Sequence, residues 1–261
     1  PAFVAGLGLP GLVDLHVHAP QYPMAGVGLD EQLLRWLENT TFPVESHFAD
    51  PQVAGTWYRR FLHRMWRVGT LRFSAFATLH EESTLMLMGL CQESGLRPVV
   101  GKVNMDRNAP EELLESARDS LESTRRIIGK SRAATPNIGY VVTPRFVPST
   151  TPELMEGLGE IVREFGLPVQ SHLDENRSEV EWVRRLHPDV PTYAQVYDLF
   201  GLMPEGRTIM AHCIWMEETE RRLLRERGVW AAHCPQSNLN LASGLMPVRR
   251  SLDAGIKVCV A

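Results

Sequence analysis

The sequence predicts an α/β barrel of eight strand–helix units, the (β/α)8 or TIM-barrel class. Three features favour it: short apolar runs recur along the chain, amphipathic helical patterns separate them, and polar residues gather at the carboxyl ends of the runs. Nearly continuous apolar runs are typical of parallel strands that are covered on both faces. The chain has 261 residues, and barrels of about 250 residues form single domains. A doubly wound sheet is the alternative, but it does not explain the polar strand ends.

Eight apolar runs are the predicted strands. In chain order they are Gly11–His18, Arg72–Leu79, Pro98–Asn104, Ile138–Arg145, Pro168–Leu173, Thr208–Cys213, Val229–Cys234 and Lys257–Ala261. The last run looks like the opening of a buried strand, so we expect the barrel to be incomplete at its C-terminal end, with the eighth strand only begun. On this interpretation residues 1–9 are an N-terminal lead-in, and residues 10–261 are a barrel truncated in or just after that strand.

Helical patterns lie between the runs. Pro110–Ile128 carries apolar residues at helical spacing. Thr151–Phe165 opens with a threonine N-cap and a first-turn proline and ends before a glycine. Glu217–Arg227 also closes before a glycine, which is typical of a helix C-terminus. Trp57–Trp66 has the spacing of an amphipathic helix with one packing face and a solvated arginine face.

Composition excludes several classes of protein. With 27 basic and 31 acidic residues the net charge is −4, which argues against a nucleic-acid binder with a basic face. The longest nearly apolar stretch, Phe3–Val13, is interrupted by glycines and a proline and is too short to span a bilayer. The four cysteines are widely spaced in apolar segments, so a disulfide framework is not expected and a reducing compartment fits best. We therefore expect a cytoplasmic protein without a nucleic-acid or membrane partner.

Polar residues follow five of the predicted strands. Because the carboxyl ends of barrel strands meet at one face, where active sites lie, five of the nine histidines are predicted to converge there. A single histidine at a strand end is more often a hydrogen-bonded structural residue, but five at one face indicate a functional site. The five histidines are His16, His18, His172, His212 and His233.

The first strand ends in a His-x-His pair. Side chains alternate along a strand, so His16 and His18 point the same way and can bind one ion. Neutral imidazoles suit zinc or a similar borderline metal, and a catalytic zinc needs about three protein ligands and an open position. His172 is the best candidate for the third ligand. The pair alone is weak evidence, but together with histidines at the ends of the fifth and sixth strands it is strong.

Six segments carry a family resemblance. They are Pro10–Tyr22 (PGLVDLHVHAPQY), Gly101–Pro110 (GKVNMDRNAP), Thr143–Phe146 (TPRF), Ser171–Arg177 (SHLDENR), Met210–His212 (MAH) and Ala232–Leu239 (AHCPQSNL). In these segments the chain resembles the metal-dependent amidohydrolase superfamily and, within it, the guanine deaminase family. The His-x-His pair is shared across the superfamily, whereas His-Ala-Pro-Gln-Tyr and Thr-Pro-Arg-Phe are much more specific to the guanine branch. The resemblance covers the chain from about Pro10 onward.

The resemblance also implies roles for individual residues. It implies metal ligands at His16, His18 and His172. It implies two catalytic residues, with Glu175 as the proton shuttle and His212 orienting the attacking water. It also implies that the substrate is bound by Gln21, Arg145 and Phe146 together with His172 and Glu175. The fourth metal ligand of the family is an Asp just after the eighth strand, which we expect about two residues beyond Ala261.

The resemblance implies partners and cofactors as well. It implies one Zn²⁺ per subunit, with Fe²⁺ as the alternative metal, a small-molecule purine substrate and a homodimer. Related proteins carry a small β-sandwich domain built from both chain ends, which we expect to be absent here.

The predicted reaction is zinc-dependent hydrolytic deamination of guanine to xanthine and ammonia. A metal lowers the pKa of its water towards neutrality, and one nearby carboxyl can protonate both the ring nitrogen and the leaving amine. Two alternatives stay open: an amidohydrolase acting on another purine, a pterin or a triazine, and a catalytically inactive scaffold used for binding or assembly. Taken singly, Glu175 is also consistent with a helix N-terminal carboxylate, Arg145 with a loop charge and Phe146 with a core residue.

Overall fold

The computed structural model describes residues 8–261. Most of the predicted lead-in, residues 1–9, therefore lies outside the described residues, and the domain boundaries stay predictions. The strands of the described part are β1 Leu12–His18, β2 Thr70–Phe76, β3 Val99–Gly101, β4 Val103–Asn104, β5 Gly139–Tyr140, β6 Thr143–Pro144, β7 Val169–Leu173, β8 Thr208–His212, β9 Trp230–His233 and β10 Lys257–Val260.

Every named strand pair is parallel, and neighbouring strands follow one another along the chain. The hydrogen-bonded sheets are β1-β2-β3-β5, β4-β6 and β7-β8-β9-β10. A parallel bridge between Val142 and Val169 connects the predicted fourth strand to β7, and β1 contacts β10. This is the order of a (β/α)8 barrel, so the prediction of the fold class is confirmed.

The predicted third and fourth strands are each divided into two short strands. The two backbones approach closely here, because a Cβ atom at Gly101, the last residue of β3, would stand 2.3 Å from the carbonyl oxygen of Val141 and 1.8 Å from Oγ1 of Thr143. Only glycine allows the two backbones to approach so closely. Lys102 then separates β3 from β4. Apolar patterning identified both strands but could not show this interruption.

Eleven α-helices are present in residues 8–261. They are α1 Leu33–Trp36, α2 Phe42–Ser46, α3 Pro51–Val68, α4 Glu81–Ser94, α5 Ala117–Ala134, α6 Pro152–Phe165, α7 Arg177–Leu186, α8 Tyr193–Leu199, α9 Glu218–Glu226, α10 Pro235–Asn240 and α11 Val248–Asp253. Short 3₁₀ turns occupy Ala19–Met24, His47–Ala49, Glu111–Leu113 and Val147–Ser149, and a π-helical turn occupies Leu37–Thr41. None of the helices in the described range is both long and apolar enough to cross a membrane.

Three of the four predicted helices agree with the structure. Thr151 caps α6 by accepting a hydrogen bond from the Leu154 amide, and the helix ends at a left-handed glycine. The arginine face of α3 is exposed and its apolar face is buried, although Trp66 is about half exposed, at 47%. The start predicted for Pro110–Ile128 was wrong. The hydroxyl of Ser116 accepts a hydrogen bond from the Asp119 amide, so α5 begins only after Ser116.

Polar side chains fill the barrel interior below the strand ends. Gln170 of β7 accepts a hydrogen bond from the Ser74 hydroxyl (2.6 Å) and donates to the Ala75 carbonyl and the Thr143 hydroxyl (both 3.0 Å). These partners belong to β2 and β6, so one side chain joins all three sheets. A buried amide whose hydrogen bonds are satisfied favours one packing arrangement, because any other arrangement would leave it unpaired.

Gly159 of α6 provides a test of packing between the helices. A Cβ atom at Gly159 would stand 1.9 Å from the Phe200 carbonyl oxygen. We expect Gly159→Ala to destabilise the protein by about 1–3 kcal/mol, because the backbone must move apart. Gly129 of α5 is the matched control, since in the described part of the chain no neighbouring atom lies within 4 Å of its added Cβ. Gly129→Ala should stabilise by about 0.5–1 kcal/mol. Urea denaturation measures the free energy of unfolding of both variants. Equal changes at Gly159 and Gly129 would contradict the close contact between Gly159 and Phe200.

Candidate active site

A small cavity opens at the carboxyl ends of the strands. Its volume is about 60 Å³, and all eight site residues named from the sequence contribute to its wall. Apolar side chains and one serine complete the lining. The lining residues are His16, His18, Gln21, Leu33, Trp36, Leu37, Arg145, Phe146, His172, Glu175, His212, Ser237 and Leu241.

Four histidines from β1, β7 and β8 form the floor of this cavity. The His16 ring packs edge-on against His18, His172 and His212, with centroids 4.8–5.4 Å apart. Nε2 of His18 lies 3.0 Å from Nε2 of His172. One ligand atom from each of His16, His172 and His212 lies within 4.8 Å of the others. The cluster thus contains the three predicted ligands together with His212.

The electrostatics of the cluster fit a metal ion. Burial, followed by the repulsion of neighbouring imidazoles, lowers the pKa of His16, His18 and His172 well below the usual range for histidine. The rings are therefore neutral and have lone pairs to offer. Nδ1 of His172 donates to the Arg145 carbonyl oxygen at 2.6 Å, which leaves Nε2 of the same ring unprotonated. A set of neutral imidazoles held in this way is a donor set that suits zinc.

His212 is held by a second hydrogen bond. Its Nδ1 lies 2.7 Å from Oδ1 of Asn238, so Nε2 faces the cavity as an acceptor.

The backbone at the ends of β7 and β8 is left-handed at Asp174, His212 and Cys213, with φ values of +51°, +71° and +51°. Non-glycine residues in this conformation store strain, and such strain is typical of functional sites.

Glu175 follows β7 and is buried, with only 4% of its surface exposed. Its Oε2 lies 3.4 Å from Nε2 of His212. The backbone amides of Glu175 and Asn176 donate to Oε2 of Glu179, which fixes this turn at the start of α7. Burial raises the pKa of Glu175 to about 8, although the Arg145 charge opposes the shift. A carboxyl group in this position can take up and release a proton near neutral pH.

Arg145 and Gln21 also line the cavity and share a hydrogen-bond partner, Glu45, which is not among the site residues predicted from the sequence. Both Nη atoms of Arg145 donate to the carboxylate of Glu45, and Gln21 donates to the same carboxylate through Nε2 at 2.9 Å. Arg145 and Glu45 are both buried. Phe146 is also buried and contacts Trp182 edge-on, with ring centroids 6.4 Å apart.

Other side chains at the site were also missed. Phe76 stacks on His18 with ring centroids 4.5 Å apart, and Trp36 and Leu241 line the cavity. Phe76 is the last residue of β2, but the apolar run that predicts this strand continues to Leu79, so the sequence did not place Phe76 at a strand end. Trp36 precedes the π-helical turn, a conformation frequent at functional sites. Nothing in their sequence pattern distinguished these apolar residues from the core.

The amidohydrolase family model matches residues 8–261. The chain belongs to the amidohydrolase family. Within this family it is similar to the probable guanine deaminase of Schizosaccharomyces pombe, with 44% identity over 253 residues that cover 95% of this chain and 48% of that protein. The chain therefore spans about half the length of this curated relative.

Solved amidohydrolase structures resemble the chain throughout. The crystal structure of guanine deaminase from C. acetobutylicum, with guanine bound in its active site, has a TM-score of 0.94 and 45% identity, and the match covers 97% of this chain and 60% of that one. A zinc-bound adenosine deaminase from Xanthomonas campestris has a TM-score of 0.84 and 26% identity, covering 97% of this chain and 55% of that one. This amidohydrolase chain therefore shares its fold with the solved guanine deaminase structure over almost its whole length.

Proposed function

We propose that the protein catalyses the zinc-dependent hydrolytic deamination of guanine to xanthine and ammonia. The observation that carries this proposal is that Gln21, Arg145 and Phe146 line the same cavity as Glu175 and the histidine cluster. These three residues lie in the segments most specific to the guanine branch. Similarity to a structure that holds guanine in its active site supports the same substrate.

We assign His16, His18 and His172 as the residues that would hold the zinc ion. Neutral imidazoles and the hydrogen bond from His172 to the Arg145 carbonyl support this assignment. Zinc bound there supplies Lewis acidity and an activated water at neutral pH. The zinc-bound adenosine deaminase of similar fold favours zinc over iron.

Glu175 acts as the proton shuttle in this proposal. Its carboxyl group can deliver a proton to a purine ring nitrogen, take up a proton from the attacking water and then deliver that proton to the leaving amine. His212 positions the attacking water through Nε2, and Asn238 holds the ring from behind. The backbone bonds to Glu179 keep Glu175 in place during these transfers.

Arg145, Gln21 and Phe146 bind the purine. The guanidinium group of Arg145 donates hydrogen bonds to acceptors such as the oxo group of the purine. The side-chain amide of Gln21 forms a hydrogen bond with a neighbouring ring nitrogen. Phe146 and the apolar side chains of Trp36 and Leu241 provide flat contact for the ring. A site built around such hydrogen bonds discriminates strongly against an analogue that leaves them unpaired.

Ammonia release from guanine tests the proposal directly. We expect the purified full-length protein to release one ammonia per guanine, and we expect a chelator to abolish the activity and added zinc to restore it. Adenine serves as the control substrate and should be deaminated at least about 10²-fold more slowly. Unchanged guanine in the presence of saturating zinc would contradict the proposed substrate.

We further infer a cytoplasmic homodimer. All four cysteines are free, and three of them are buried. This pattern is typical of proteins in reducing compartments. The homodimer rests on the resemblance to the guanine deaminase family, and sedimentation equilibrium of the full-length protein checks it.

A further inference from the structure

Glu45 is a buried carboxylate behind the wall of the cavity, and the proposed chemistry does not use it. It lies on α2 with 3% of its surface exposed. Its Oε1 accepts hydrogen bonds from Nε2 of Gln21 (2.9 Å) and Nη2 of Arg145 (3.1 Å), and its Oε2 accepts from Nη1 of Arg145. The carboxylate thus contacts both polar residues on this side of the cavity.

The first consequence concerns charge. Glu45 and Arg145 form a buried bidentate pair in which the two opposite charges compensate each other. Cζ of Arg145 lies 5.1 Å from the ring centroid of Phe42, which belongs to the same helix. Two residues of α2 therefore contact the guanidinium group. The cavity therefore presents Arg145 as a set of oriented N–H donors without an uncompensated positive charge. Such a site suits a neutral heterocycle better than an anion.

The second consequence concerns the direction of the Gln21 amide. An ionised carboxylate only accepts hydrogen bonds, so Gln21 must turn its NH₂ group towards Glu45. Its carbonyl oxygen is then left for a ligand. Arg145 has five N–H donors, of which Glu45 engages two, and the others remain for a ligand. Glu45 thereby fixes an acceptor at Gln21 beside donors at Arg145.

We propose that Glu45 is a positioning residue that selects 6-oxopurines by fixing this donor and acceptor pattern. A 6-oxopurine offers a carbonyl acceptor next to a ring N–H donor, which complements Arg145 and Gln21. Adenine has the reverse pattern, with an amino donor next to a ring-nitrogen acceptor. Glu45 acts on specificity through the two residues that it orients. The inference rests on the proposed function for its substrate class.

Binding of non-reacting ligands tests this role apart from catalysis. Hypoxanthine keeps the oxo group and the adjacent N–H but has no amino group to lose, and adenine is its counterpart with the reverse pattern. We expect the chelator-treated full-length protein to bind hypoxanthine at least about tenfold more tightly than adenine. In Glu45→Gln the affinity for hypoxanthine should fall by about tenfold or more, and the ratio of the hypoxanthine affinity to the adenine affinity should fall below about three. Calorimetry measures both affinities.

Two further variants complete the experiment. Glu38→Gln removes an exposed carboxylate from the adjacent turn and should leave both affinities unchanged. Glu45→Asp keeps an acceptor-only group but shortens its reach, so hypoxanthine affinity should fall by about three- to tenfold while most of the preference is kept. If Glu45→Gln does not fold, an unchanged affinity in Glu45→Asp overturns the proposal by itself.

Kinetics with guanine separate the two proposals. In Glu45→Gln we expect KM to rise by about tenfold and kcat to change by less than about threefold, because the proton shuttle and the histidines are untouched. If wild-type protein does not deaminate guanine but prefers hypoxanthine in a Glu45-dependent way, the proposed function fails and the role of Glu45 stands. If it deaminates guanine while Glu45→Gln keeps the hypoxanthine preference, the role of Glu45 is wrong.

Discussion

We expect Glu175→Gln to lower kcat for guanine by about 10³-fold without loss of bound zinc. Glutamine has the same shape as glutamate but cannot transfer a proton, so the transfers assigned to this side chain fail. Because Glu175 is not a predicted ligand, the metal should remain. Among the described residues that line the cavity, Glu175 has the only carboxyl group, so no other side chain there can take its place. Steady-state kinetics and elemental analysis measure the two effects.

Glu181→Gln is the matched control for this variant. Glu181 lies on the same helix, α7, but is exposed, and among residues 8–261 its one ion pair is with the surface residue Arg184. Its replacement should leave both kcat and zinc content unchanged, because exposed ion pairs contribute little. An active Glu175→Gln enzyme would exclude Glu175 as the proton shuttle.

The second large effect is expected at the histidine cluster. We expect His18→Asn and His172→Asn to weaken zinc binding by more than about 10²-fold, whereas His212→Asn weakens it less, since loss of a supporting residue typically costs about 10- to 10²-fold. This ranking follows the assignment of His18 as a ligand and of His212 as the residue that orients the water. The proximity of His212 to His16 and His172 makes this assignment worth testing. Competition with a fluorescent chelator gives the three affinities.

His63→Asn controls for the loss of a histidine as such. His63 is exposed on α3, outside the cavity, and its replacement should leave zinc affinity unchanged. Far-ultraviolet circular dichroism confirms that each variant is folded. If His212→Asn loses zinc as fully as His172→Asn while His18→Asn retains it, the roles of His18 and His212 must be exchanged.

The barrel could be predicted from sequence because its strands are continuous apolar runs. Each of the eight runs contains strand residues in the structure. The division of the third and fourth strands could not be predicted, since the apolar runs continue through it, and the close approach of Gly101 to Val141 arises only in the folded barrel. The start of α5 at Ala117 depends on a local capping bond of Ser116 that competed with the earlier Pro110 signal.

The site was predictable to the extent that its residues lie at strand ends or in family segments. His16, His172 and Glu175 met these conditions, and all line the cavity. Glu45 met neither, because it lies on a short helix 24 residues from Gln21 and 100 residues from Arg145. Its relevance arises from tertiary packing alone. The spacing of apolar residues shows which face of one helix or strand is buried. An ion pair between distant residues depends instead on how two such elements pack against each other, which the spacing does not show.

The Gln170 amide has a consequence for how the site tolerates change. Gln170 and His172 are two residues apart on β7, so their side chains point to the same side of the strand. The bonds of Gln170 to β2 and β6 therefore fix β7 against its neighbours directly below the His172 ring. The His172 end of β7 is thus tied to the barrel interior, whereas His212, Arg145 and Gln21 are held by segments that follow the strands. Insertions in loops away from the cavity should accordingly leave the spacing of the histidines intact.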